Sequence, residues 1–166
     1  LYPEGKKDMV LNALKERIAA RNNHLDTGFC GTPFLCRALS DNGANELAYT
    51  LFLNDDYPSW LYEVNMGATT VWERWNSILP DGSISGTGMN SLNHYAYGSI
   101  VDWMYRNLCG LNPVEEDPGY KKAVIRPMPD KRLPWAKLKL DTASGTYQVE
   151  WTYGEGGLHG SVTVPF

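Results

Sequence analysis

Five carboxylates in this 166-residue sequence stand near aromatic side chains. Asp26, Asp55, Asp56, Glu63 and Glu73 are set among Phe29, Tyr57, Trp60, Tyr62, Trp72 and Trp75. The pairing suits a carbohydrate, whose apolar C–H faces stack on indole rings while its hydroxyls hydrogen-bond to charged or amide groups. Splitting a glycosidic bond also needs two carboxyl groups, one to donate a proton and one to activate water or attack. Glu73 has the most distinctive setting. Thr69-Thr70-Val71-Trp72-Glu73-Arg74-Trp75 puts one acid between two indoles, beside a cation able to orient it or keep it ionised. The alternative for any one of these acids is a solvated surface group or a helix cap. His94 follows Met89-Asn90-Ser91-Leu92-Asn93 and precedes a helical pattern. It reads either as a capping or surface histidine or as a hydroxyl-binding donor at the floor of a polar pocket.

Other chemistries find no footing. There is no GxSxG for a nucleophilic serine, and His24, His94 and His159 are isolated, with no HExxH or Cys/His cluster to hold a metal. Neither a GxGxxG nor a GxxxxGK[ST] loop occurs, and Gly86-Thr87-Gly88 alone does not make a nucleotide site. No cofactor is therefore expected. Cys30, Cys36 and Cys109 are odd in number and lack a CxxC, so buried free thiols are expected. A net charge of −4 argues against a nucleic-acid partner, which would need clustered Lys and Arg. No apolar run approaches the roughly 20 residues of a membrane span. The composition, 43% hydrophobic and 20% charged, belongs to a globular chain, but 6 Trp and 10 Tyr exceed what a small core requires.

The elements that must position these residues follow from periodicity. Met9, Val10, Ala13, Leu14, Arg17 and Ile18 fall at helical spacing and predict a helix over 6–21, ended by Asn22-Asn23. Shorter helices are predicted over 33–38, with Pro33 in the first turn, and over 44–54 and 58–65. Another is predicted over 93–108, closed by Gly110. Its aromatics, Tyr95, Tyr97, Trp103 and Tyr105, read as core. Between Gly67 and Ser91 the pattern fails, and a connection of that length is usually functional or disordered. Trp72 and Trp75 inside it point to function. After Pro113 the period becomes two, with Lys137-Leu138-Lys139-Leu140, alternate residues from Tyr147 to Tyr153, and Val162-Thr163-Val164. A helical part over 1–114 and an antiparallel β part over 115–166 result. The first holds 8 basic and 12 acidic residues and the second 7 of each, so the acidic excess lies in the helical part.

Six stretches, in order, resemble the later part of bacterial α-L-rhamnosidases, glycoside hydrolase family 78. They are His24-Leu25-Asp26-Thr27-Gly28-Phe29, Gly31-Thr32-Pro33-Phe34-Leu35, Tyr57-Pro58-Ser59-Trp60, Gly67 to Asn76, Met89 to Gly98, and Pro118-Gly119-Tyr120 with Ile125-Arg126-Pro127. The resemblance implies an (α/α)6 toroid, present here in part as about five helices, followed by part of a small antiparallel β-sandwich. It also implies hydrolysis with inversion. The family's general base falls on Glu73, and its rhamnose-contacting histidine on His94. Trp72 and Trp60 fall on aromatic motif positions and are carried over as candidate substrate-binding residues. The family's general acid lies in an upstream segment with no counterpart in this sequence.

The opening Leu1-Tyr2-Pro3 and the close at Pro165-Phe166 directly after a strand suggest a piece of a larger protein. On that reading the expected partners are a rhamnose-containing glycoside and either the upstream part of the same catalytic domain or another copy. The isolated chain should be nearly inactive, with apolar helix faces uncovered. A non-catalytic carbohydrate-binding or structural module is the alternative.

Overall fold

Helical spacing of apolar residues produces α1, Lys7–Ala19, in the computed structural model, which describes residues 5–86 and 88–166. Leu1-Tyr2-Pro3 and Thr87 of the Gly86-Thr87-Gly88 triplet lie outside the described residues. Asn22 and Asn23 end the helix in left-handed conformations, with φ of 53° and 58°, which the short polar Asn side chain tolerates. Of the predicted apolar stripe only Ile18 is buried, and Met9 and Val10 are exposed. α2, Thr32–Asp41, carries Pro33 in its first turn and runs three residues beyond the predicted 38. α3, Asn45–Leu53, packs against it, burying Leu35, Cys36 and Leu39 with Ala48, Tyr49 and Leu51. α4, Trp60–Asn65, starts where the Ser59 hydroxyl oxygen accepts the Tyr62 N–H at 3.0 Å. That bond satisfies one of the amides a helix start leaves open.

The last helical run is irregular: a 3-10 turn over Ala96–Ser99, an α-helical α5 over Ile100–Trp103 and a π turn over Met104–Leu108. It starts three residues later than predicted. Ser91 Oγ accepts the Asn93 N–H at 3.1 Å and His94 Nδ1 accepts the Ala96 N–H at 3.3 Å, so side chains supply these amides outside a helix. The assignment of Tyr95 to the core is corrected: it is 84% exposed, whereas Tyr97 and Trp103 are buried.

The chain divides into two compact units, Leu1–Ile100 and Val101–Phe166. In the second, β1 (Leu111–Pro113) pairs antiparallel with β2 (Ala123–Ile125). β3 (Trp135–Thr142), β4 (Gly145–Gly154) and β5 (Gly157–Thr163) form an antiparallel sheet in that order. Period-two alternation buries Leu138 from β3 with Tyr147, Val149 and Trp151 from β4, as predicted, and Ala136 joins them. The Trp151 indole N–H donates to the Leu108 carbonyl at 2.9 Å, joining the sheet to the helical end of its own unit. Helices followed by antiparallel strands is the predicted order.

Candidate active site

The connection from Gly67 to Ser91 contains no named strand among its described residues, yet it is held throughout by hydrogen bonds. Ile78 and Ile84 bridge, and the Leu79 and Ser85 amides donate to the Ser83 and Ser77 carbonyls at 2.8 and 3.1 Å. Nearer the candidate acid, residues 70–73 lie beside 91–94. The Glu73 N–H donates to the Ser91 carbonyl at 2.9 Å and the His94 N–H to the Val71 carbonyl at 2.8 Å. Thr70 Oγ1 donates to the Leu92 carbonyl. Glu73 and His94, 21 positions apart in sequence, thus belong to one tied pair of segments.

Glu73 is half-buried, and its Oε2 accepts the Ser91 N–H at 2.7 Å. A bond of that length holds this oxygen against the Ser91 amide. No hydrogen bond among the described residues reaches Oε1. The residue lines a cavity of about 270 Å³ with Gly28, Phe29, Arg74, Met89 and Tyr97. The cation that the sequence sets beside Glu73 does not orient it, because Arg74 turns to donate to the Gly88 carbonyl. A backbone amide does that work.

His94 is not in the cavity wall itself but stacks on Phe29, which is, with ring centroids 4.9 Å apart. Tyr95 also stacks on His94, at 4.9 Å. Beneath the cavity the aromatics are core. Tyr97 lies flat on Trp75 at 3.8 Å, and Trp60 meets Trp75 edge-on at 5.3 Å. The Trp75 indole donates to the Thr27 carbonyl at 3.1 Å and the Trp60 indole to the Tyr97 carbonyl at 2.9 Å, so the stack is anchored at both ends. Trp60 is 8% exposed and Trp72 2%, and neither lines the cavity. Their indoles are occupied by packing.

The remaining acids are placed elsewhere. Asp26 pairs with Arg21 at 2.8 Å, and Asp55 is exposed. Asp56 meets His24 Nε2 at 2.7 Å and raises that imidazole above its usual range. Glu63 is buried on α4, its Oε2 accepting the Trp72 N–H at 3.2 Å. Burial pushes this carboxyl up to about 7. Sequence reasoning did not single out Ser91, whose contribution is a backbone amide and leaves no trace in residue type. It took Tyr97 as core, which is right for its burial but misses its place in the wall. Cys30, Cys36 and Cys109 are free, but only Cys36 and Cys109 are buried. Cys30 is exposed, which corrects the expectation of three buried thiols. Among the described residues no group of three His, Cys, Asp or Glu could hold a metal. Burial raises the Cys36 thiol to about 12 and Cys109 to about 11, so both stay protonated.

Similarity to known proteins runs the length of the chain. Residues 1–108 match the family described as bacterial alpha-L-rhamnosidase 6 hairpin glycosidase domain, and residues 110–166 match the bacterial alpha-L-rhamnosidase C-terminal domain. An α-L-rhamnosidase of Alteromonas sp. (strain LOR) is 43% identical over the whole chain, and one of Formosa agariphila is 42% identical over 99% of it. The chain spans 18% of the length of each. The crystal structure of Streptomyces avermitilis α-L-rhamnosidase complexed with L-rhamnose superposes with a TM-score of 0.92 at 40% identity, covering 98% of this chain and 16% of that one. The chain belongs to the bacterial α-L-rhamnosidase family, with both its six-hairpin glycosidase domain and its C-terminal domain represented.

Proposed function

We propose that this chain forms the general-base wall of an inverting α-L-rhamnosidase active site. The observation that carries the reading is Glu73: one carboxylate oxygen held by the Ser91 amide, the other without a hydrogen-bond partner among the described residues, on a residue that lines a cavity with Phe29 and Tyr97. Glu73 Oε1 takes a proton from a water molecule as that water attacks the anomeric carbon. The Phe29 ring offers a stacking surface for an apolar sugar face, and His94, seated against Phe29, offers a ring nitrogen to a hydroxyl. Trp60 and Trp72 support this wall from within the core. The proton for the departing oxygen comes from a carboxyl on the rest of the barrel, outside these 166 residues. It lies about 6.5–9.5 Å from Glu73 with water between, the spacing inversion requires. The exposed apolar residues of α1 pack against helices of that remaining part, consistent with a chain spanning 18% of its relatives' length.

The test is Glu73→Gln in the complete enzyme. Gln keeps an oxygen for the Ser91 amide and cannot take the proton, so kcat on an aryl α-L-rhamnoside falls on the order of 10²–10⁴-fold. Turnover at near the wild-type rate removes Glu73 from the mechanism. NMR of the first product should show the β anomer, and α-rhamnose as the first product excludes inversion.

A further inference from the structure

The mechanism leaves one buried acid unused. Glu63 is 4% exposed, one turn into α4, behind the loop that carries Glu73. Its Oε2 takes the amide of Trp72, the residue immediately before Glu73, and its main-chain carbonyl takes the Ala68 N–H at 3.0 Å. The helix that bears it is pinned at its start by Ser59. Oε1 is buried with no hydrogen-bond partner among the described residues. An apolar residue of similar size would fill this space without leaving a polar atom unpaired, and an unpaired buried oxygen is costly. A carboxyl is nevertheless present, and the one bond it makes is to the loop.

We propose that Glu63 is the positioning residue of the general base: its buried carboxyl hooks the Trp72 amide and so sets the height at which Glu73 meets the Ser91 amide and the cavity. This rests on the reading of Glu73 as the base. Trp72 is fixed on its other side by burial of its indole, so residue 73 follows directly from a point anchored at both amide and ring. Tyr97 lines the cavity, and burial, with a smaller contribution from the Glu63 charge, raises its phenol. Burial raises the Glu63 carboxyl to about 7, and its neutral form keeps Oε2 as an acceptor while sparing the core a full charge.

Two substitutions in the complete enzyme separate positioning from simple structure, with Glu73→Gln measured alongside. Glu63→Leu removes the acceptor and should lower kcat on the order of 10²-fold, the cost of a displaced catalytic group, with KM changed less than about threefold. Glu63→Gln keeps an oxygen for the Trp72 amide and should recover most of that loss. If Glu63→Leu turns over at the wild-type rate, or if Glu63→Gln is as impaired as Glu63→Leu while both melt cooperatively, the hook is not what positions the base. A Glu63→Leu protein that does not fold leaves the decision to Glu63→Gln: kcat within about fivefold of wild type supports the proposal, and a 10²-fold loss overturns it. Inactive Glu73→Gln beside unaffected Glu63 variants overturns this inference alone, whereas active Glu73→Gln overturns the base and its positioning together.

Discussion

At the scale of single residues, two glutamates ten positions apart have opposite environments. Glu73 gives one oxygen to a backbone amide and lines a cavity, while Glu63 is buried on α4 and bonded to the loop. Burial is the larger influence on Glu63 and raises it from an ordinary 4.5 to about 7, with the Trp72 hydrogen bond opposing. Between those values the folded protein binds the extra proton. The contribution of Glu63 to stability is therefore fully present below about 4.5 and is lost as pH rises through about 7. The difference amounts to about 3 kcal/mol across that window. Urea midpoints should fall for the wild type between pH 5 and pH 8 by more than they fall for Glu63→Gln, which cannot ionise. Equal changes in the two proteins would mean that Glu63 is already ionised at pH 5.

At the scale of elements, turns and caps decide where function can sit. α4 owes its start to Ser59, which is fully buried, and Ser59→Ala should cost about 1 kcal/mol by thermal melting. A larger effect belongs to Gly110, which follows the π turn with φ of +76°. A Cβ there would stand 2.1 Å from the Arg126 carbonyl carbon and the Pro127 nitrogen, and the Gly110 carbonyl accepts the Arg126 N–H at 2.8 Å. Neither the left-handed backbone nor the neighbouring main chain can yield cheaply. Gly110→Ala should destabilise by at least about 3 kcal/mol, read from denaturation midpoints. A change under about 0.5 kcal/mol, as at an ordinary surface site, would contradict that close approach.

At the scale of the molecule, apolar side chains stand exposed in both units. Met9 and Val10 on α1, Phe34 on α2 and Val64 on α4 are exposed in the first unit, and β5 is exposed along its whole length in the second. Surfaces of this kind seek a cover. The 166-residue chain by itself should show no rhamnoside hydrolysis and should self-associate with rising concentration in light scattering. A monomeric, active preparation would contradict the proposed dependence on the rest of the barrel.

Much of this was written in the order of residues. The 3.6 period marked α1 to α4 to within a few positions, the period of two marked β3 and β4 but only the end of β5, and flanking indoles set Glu73 apart from the other acids. Such features are local: a side chain's polarity and its spacing along the chain decide which face an element can bury. Tertiary structure decided the rest, because it depends on which distant groups meet. That Trp60 and Trp72 are core, that Arg74 turns to Gly88 while the Ser91 amide holds Glu73, and that Glu63 reaches the Trp72 amide are all outcomes of backbone atoms brought together across a connection of some twenty-five residues without regular structure. Main-chain donors are the same at every position, so residue types cannot announce which of them will face a carboxylate.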